Sequence, residues 1–99
     1  MDANERLLAA ANEGDVEAVI SAMGDGALID FADDGKRTAL MFAAYGGEHE
    51  ALRLLLELGA APNLVSAADF TALDYALKAG EVECATTLHA AGAKVGDLA

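Results

Sequence analysis

The sequence repeats itself at a fixed interval of 33 residues, and this period restricts the fold more than any other feature of the chain. One glycine and one Gly-Ala pair recur in every copy, at Gly14, Gly47 and Gly80 and at positions 26–27, 59–60 and 92–93. The three copies align without insertion or deletion, so coincidence is excluded. A period of this length is typical of a solenoid, in which short units stack and cover one another's apolar faces.

Each copy is predicted to form a helix, a turn, a second helix and a loop. In the middle copy, Thr38 is a candidate N-cap, followed by apolar residues at helical spacing up to Gly47. A second helix is expected over about 48–58, where leucines form one stripe, and Gly59 ends it. The stretch 60–69 has no helical period and is predicted to be an extended loop. The expected fold class is therefore all-α.

Two stretches, "TALMFAAYGGEHEALRLLLELGAAPN" and "TALDYALKAGEVECATTLHAAGAKV", resemble ankyrin repeats. The family signature is T-P-L-H-x-A-A, then G-H-x-E, a leucine pair and G-A-D-x-N. The resemblance extends over essentially the whole chain. It implies an ankyrin-type helix-turn-helix solenoid with short hairpin-like loops between the repeats. The expected division is a single domain, 1–99, with repeat 1 at about 1–32, repeat 2 at about 33–65 and repeat 3 at about 66–99.

Several positions depart from the family signature. Alanine replaces the proline in both stretches, while Met41 and Asp74 replace the histidine. The Thr–His hydrogen bonding that ties neighbouring loops in the family is therefore not expected, and looser turns are predicted. Lys36 and Asp69 stand where the turn glycine is usual.

The terminal copies are predicted to be caps. The first copy lacks the threonine, and Asn4 is the candidate N-cap of its first helix. In the third copy, Thr87 and His89 replace leucines on a stripe expected to face outward, as the end of a solenoid requires.

Charge and composition exclude several classes of function. The 99 residues include 6 Lys and Arg against 17 Asp and Glu, giving a net charge of −11. Contacts to nucleic acid or to an anionic membrane need clustered cations, so neither is expected as a partner, whereas a basic protein is compatible. No apolar run approaches the ~20 residues of a membrane span. The single cysteine cannot form an internal disulfide, which favours a reducing, cytoplasmic location.

No catalytic or metal-binding motif is present. Cys84 aligns with alanines and is predicted to be a packed thiol, while His49 is predicted to be solvated at the start of a helix. The spacing of His49, Cys84 and His89 is not that of metal ligands. The run 30–35, "DFADDG", fails the calcium-loop pattern and is predicted to be a tip between copies. We therefore expect no enzyme activity, no metal and no cofactor.

The resemblance implies a protein-binding strip formed by loop tips and by the outer faces of the first helices. The family's usual contact positions, together with two bordering aromatics, fall on Asn12, Glu13, Asp34, Arg37, Phe42, Tyr45, Phe70, Tyr75 and Lys78. Aromatic residues and arginine are favoured as interface anchors. Phe70 is expected to be exposed at a tip, and Phe42 and Tyr75 to be partly packed between units.

The expected function is a rigid, non-catalytic module that binds a protein partner and is a monomer when free. Two alternatives stay open at this point. The chain could be a small acidic inhibitor or immunity-type protein that covers a basic site, or an element that self-associates through its helical faces.

Overall fold

Each 33-residue copy, called a unit below, folds into a pair of short helices. The structure, a computed structural model, describes residues 1–96. The helices are α1 Ala3–Glu13, α2 Val16–Gly24, α3 Ala39–Gly46, α4 His49–Glu57, α5 Ala72–Ala79 and α6 Val82–Ala90. Within residues 1–96, extended pairing is limited to one isolated bridge between Ala32 and Thr38. The predicted all-α repeat fold is confirmed.

The first helices of units two and three begin at threonine caps, as predicted. The hydroxyl of Thr38 accepts from the backbone N–H of Met41 at 3.4 Å, and the hydroxyl of Thr71 accepts from that of Asp74 at 3.2 Å. Each bond satisfies one N–H group that the first helical turn leaves without a partner.

The prediction that Asn4 caps α1 is wrong. Asp2 is the N-cap, and its carboxylate accepts from the backbone N–H of Glu5 at 2.8 Å. The Asn4 side chain instead accepts from the backbone N–H of Leu28 at 2.8 Å, in the loop after α2. The aspartate is two residues earlier than the predicted cap because α1 extends further toward the N-terminus than α3 and α5 do.

The same loop N–H group is satisfied by a side chain in every unit. Ala61 and Lys94 align with Leu28, and their N–H groups donate to the side-chain oxygens of Asp30 at 3.0 Å and Asn63 at 2.7 Å. In both cases the acceptor belongs to the preceding unit, so each bond links consecutive units. Asn4 supplies the acceptor from within unit one.

The helices form two layers, in which α1, α3 and α5 lie side by side and α2, α4 and α6 cover them. Alanines such as Ala43, Ala44 and Ala76 are fully buried in the first layer, and their small size lets neighbouring backbones approach closely. The largest fully buried side chains are Leu7, Val19, Leu40, Leu52, Leu55, Cys84 and Leu88. The core is a continuous seam between the layers, which no single unit could form alone.

The tips between units are ordered turns. Lys36 and Asp69 both adopt a left-handed backbone, with φ of 58° and 65°. The N–H of Ala67 donates to the carbonyl of Gly35 at 2.8 Å, which joins the two tips directly. The non-glycine residues at these positions therefore keep the family's turn.

The expectation of looser turns is wrong for unit three. Asp74, at the position of the family's histidine, accepts from the N–H of Thr71 at 2.9 Å and from that of Gly96 at 2.8 Å. The Thr71 hydroxyl also donates to the carbonyl of Lys94 at 2.9 Å. In unit two, Met41 offers only its sulfur, 3.5 Å from the N–H of Thr38. A carboxylate can thus replace the histidine as the acceptor.

Two predictions about the second layer are also wrong. His49 is half-buried rather than solvated, with its Nε2 2.7 Å from the Thr87 hydroxyl and its Nδ1 3.1 Å from the Glu83 carboxylate. Thr87 therefore faces α4 in the preceding unit and does not lie on an outward stripe. His89 is exposed, as predicted.

Candidate protein-binding surface

An apolar cleft of about 310 Å³ lies on the surface between α3 and α5. Its lining residues are Arg37, Met41, Phe42, Tyr45, Tyr75 and Lys78. We call it the aromatic cleft. Tyr45 is 54% exposed, whereas Phe42 and Tyr75 are half-buried, in agreement with the prediction of partial packing.

The aromatic rings of this region support one another edge to face. The ring centroid of Tyr75 is 6.0 Å from that of Tyr45 and 5.2 Å from that of Phe70. The Tyr75 hydroxyl donates to the Ser66 hydroxyl at 2.9 Å, which fixes the central ring. Phe70 is half-buried by this contact, so the expectation of an exposed Phe70 is wrong. Because the rings are held in place, little side-chain freedom is left to lose on binding.

Two cations lie against these rings. The guanidinium of Arg37 is 5.1 Å from the Phe42 ring centroid, and the ammonium of Lys78 is 5.5 Å from that of Phe70. Both distances are within the range of a cation–π interaction. The cleft therefore has an apolar floor with positive charge at its rim.

Asp33 holds Arg37 in this position. Its Oδ2 lies 2.9 Å from Nη2 and 3.0 Å from Nε of Arg37, and its Oδ1 accepts from the backbone N–H of Gly35 at 2.9 Å. Burial on its own would raise the pKa of Asp33. The hydrogen bonds from Arg37 and Gly35 and the Arg37 charge outweigh it, so the pKa lies below its ordinary value. Asp33 is thus ionised at neutral pH and pairs with Arg37.

A second cleft, of about 610 Å³, adjoins the first on the side of α1. Its lining includes Glu5, Leu8, Asn12, Phe31, Asp33 and Asp34, as well as Arg37 and Phe42. We call it the acidic cleft because it contains three carboxylates. Arg37 and Phe42 line both clefts, so the two form one groove across α1, α3 and α5.

Seven of the nine predicted site residues line this groove, and an eighth, Phe70, borders it. Asn12 and Asp34 lie in the acidic cleft, and Phe70 lies against the rings of the aromatic cleft. Glu13 is exposed at the end of α1 and lines neither cleft. The role of these residues in binding stays a prediction.

Eight residues that line the groove were not among the predicted site residues: Met1, Glu5, Leu8, Ala9, Phe31, Asp33, Gly35 and Met41. Phe31 was the only aromatic residue left out, and its position within the tip 30–35 was the available signal. Met41 was considered only as a replacement for the family's histidine. Glu5 and Leu8 align with Thr38 and Met41, which are not among the family's usual contact positions, so the alignment gave no signal for them.

The Cys84 thiol is buried, as predicted, and is only 1% exposed. Burial raises its pKa to about 11, and the nearby carboxylates of Glu81, Glu83 and Glu48 act in the same direction. The protonated thiol is thus favoured in the folded state. This contribution to stability is complete below the ordinary thiol pKa of 9.0 and is lost as the pH rises from there to about 11.

We therefore expect Cys84 to react with an aromatic disulfide reagent only when the chain opens. At pH 8 the native reaction should be slower by about 10³-fold or more than the reaction in denaturant, because labelling requires local or global unfolding. The release of the coloured thiolate measures both rates. A native rate within tenfold of the denatured rate would contradict the burial of this thiol.

Within residues 1–96, no group of three His, Cys, Asp or Glu side chains is arranged to hold a metal ion. The helices over the same range have 8 to 11 residues, and none is long and apolar enough to cross a membrane.

Stacked helix pairs with left-handed turns at the tips define a helical-repeat solenoid. The family described as "Ankyrin repeats (3 copies)" matches residues 7–98, so the chain belongs to the ankyrin repeat family. The chain is 41% identical over 88 residues to the Ankyrin repeat and KH domain-containing protein mask-1 of Caenorhabditis elegans. This match includes 88% of the chain but only 3% of the length of that relative. Ankyrin repeats are generally protein–protein interaction modules and are generally non-catalytic.

Proposed function

We propose that this chain binds a protein partner through the groove formed by the acidic and aromatic clefts. The observation that supports the proposal most directly is the exposed aromatic surface between α3 and α5. Tyr45 is more than half exposed beside two further rings and two cations. Stability alone gives no reason to place such a large aromatic side chain in water, whereas tyrosine and arginine are common anchors of protein interfaces.

The groove is well suited to binding without rearrangement. The tips are tied by the bond between Ala67 and Gly35, and the Tyr75 ring is fixed by Ser66. A surface that is already ordered loses little conformational entropy on association. Three units offer about one standard interface, ~800 Å² on this side.

The charge of the chain supports a partner with basic surface. The net charge of −11 attracts cations over long range and increases the rate of encounter with such a partner. The same negative net charge is compatible with an inhibitor that covers a basic site on its target. A cytoplasmic location agrees with the single, buried and protonated thiol.

The proposal is tested by truncating two groove side chains. In Tyr45→Ala and Phe70→Ala, we expect the dissociation constant for the partner to rise about tenfold or more, because interface aromatics commonly contribute over 1 kcal/mol. The partner is first isolated by affinity capture and mass spectrometry and is then purified. Calorimetric titration gives the dissociation constant.

Ile20→Ala is the matched control, because Ile20 is an exposed apolar residue on α2, outside both clefts. It should leave the affinity unchanged. All three variants should remain folded by circular dichroism. The stability loss should be about 1 kcal/mol or less for Tyr45 and Ile20, which are exposed, and larger for the half-buried Phe70. If the groove variants bind as tightly as the parent protein, the partner uses another surface.

A further inference from the structure

We propose that the groove selects a partner segment by the order of its charges. The segment has an apolar side chain in the aromatic cleft, a carboxylate directly beside it, and a cationic side chain about three residues away in the acidic cleft. This inference rests on the proposed function and adds the chemical class of the bound segment.

The aromatic cleft is lined by positive charge, although the chain as a whole is acidic. The chain contains 17 acidic and only 6 basic residues, yet both charged residues that line this cleft, Arg37 and Lys78, are basic. A partner cation would meet like charge there. A partner carboxylate would meet opposite charge next to an apolar floor, where water is partly excluded and a charge-assisted hydrogen bond is stronger.

Lys78 is the principal cation and hydrogen-bond donor for that carboxylate. The Nε–H of Arg37 already donates to Asp33, whose Oδ2 also lies 2.9 Å from Nη2 and balances the guanidinium charge. Within residues 1–96, by contrast, no carboxylate forms a salt bridge with Lys78. Its ammonium contacts the face of Phe70, an interaction that positions the cation without neutralising it.

The acidic cleft has the opposite character. Asp33 is paired with Arg37, but Asp34 is exposed, and no cation pairs with Asp34 or Glu5 within the part of the chain that the structure describes. The side-chain carboxylate of Glu5 accepts one long hydrogen bond, 3.4 Å, from the N–H of Asp2. These two carboxylates can therefore receive a cation from the partner.

The two clefts are close enough for one short segment to occupy both. They share Arg37 and Phe42, and each lies over the contact between neighbouring first helices. Neighbouring packed helices are about 10 Å apart. An extended chain advances about 3.3 Å per residue, so about three residues lead from one cleft to the other.

Two synthetic peptides of identical composition test the inference. The matching probe is acetyl-Lys-Lys-Ser-Ser-Phe-Glu-Glu-amide, and the exchanged probe is acetyl-Glu-Glu-Ser-Ser-Phe-Lys-Lys-amide. Each is titrated at low salt into the ¹⁵N-labelled full chain and followed by heteronuclear NMR. The matching probe should bind about tenfold more tightly, with the largest shifts near both Asn12 and Lys78. The result does not depend on the direction in which a peptide lies, because the phenylalanine is next to acid in one probe and next to base in the other.

Variants identify the source of the preference. Lys78→Gln should reduce the affinity ratio of the two probes toward one, because it removes the free cation from the rim of the aromatic cleft. Arg53→Gln is the matched control, since Arg53 is an exposed cation on α4 outside the groove, and it should leave the ratio unchanged.

Three results would overturn the inference: equal or inverted affinities, no binding of either probe, or a ratio that survives Lys78→Gln. The proposed function is judged separately, from the purified protein partner and the Tyr45→Ala and Phe70→Ala variants. If the partner's affinity depends on those aromatics but the two probes bind equally, the groove remains the binding site and the charge order is rejected.

Discussion

Leu52→Ala should lower the free energy of unfolding by about 3 kcal/mol, the largest effect expected of any substitution considered for this chain. Leu52 lies on α4 in the central unit and has no exposed surface. Truncation removes the transfer free energy of its side-chain carbons and leaves a cavity that the surrounding helices fill only in part. A protein of this size has a total stability of about 5–15 kcal/mol, so the loss is a large fraction of it.

Chemical denaturation measures the effect, and the midpoint of thermal unfolding should fall by more than about 10 °C. Leu77→Ala is the matched control, because Leu77 is also a helical leucine but is 55% exposed. It should cost about 0.5 kcal/mol or less. Similar losses in the two variants would contradict the position of Leu52 in the shared core.

The 33-residue period was sufficient to predict the helix pairs and their order. Glycine at equivalent positions marks the ends of the helices, and leucine and alanine at helical spacing mark the faces that pack. These signals are local and repeat three times, so each copy supports the interpretation of the others. The predicted start of α4 at about residue 48 is one residue from the observed start at His49.

The errors fall where residues that are distant in the sequence or on different elements come into contact. His49 was interpreted from α4 alone, yet its partners Thr87 and Glu83 lie on α6. Asn4 was predicted to bond within its own helix, but its acceptor oxygen serves the loop after α2. A sequence gives the distance along the chain between such residues and gives no direct sign that they meet. Alignment of the units indicates which positions are equivalent. It does not indicate which polar side chains form hydrogen bonds with each other, because those pairs form only when the two layers are assembled.

The groove, too, could be predicted from the sequence only in part. About half of its residues could be predicted from the family resemblance, by placing the family's usual contact positions on the three aligned units. The local charge could not be predicted from the composition. The net charge of −11 gives no sign of a cationic rim on the aromatic cleft, which forms because Arg37 and Lys78, from different units, line the same cleft in the stack.

Gly59→Val should lower the free energy of unfolding by about 2–3 kcal/mol, and the cause is conformational rather than steric crowding by neighbours. Gly59 follows α4 with a φ of 96°, a backbone region that side chains disfavour and that β-branched residues disfavour most. No heavy atom of another residue lies within 4 Å of a Cβ built at this position. The expected loss therefore arises from the strain of the valine backbone itself.

Gly24→Val separates this strain from the mere addition of a side chain. Gly24 is the last residue of α2, it does not have a positive φ, and a Cβ there also meets nothing within 4 Å. Because valine has a somewhat higher helix propensity than glycine, this control should change the stability by about 0.5 kcal/mol or less in either direction. Denaturant unfolding of both variants measures the difference between them. An equal, small effect of the two would mean that the chain after α4 does not need the left-handed backbone, and that the recurring glycines have another cause.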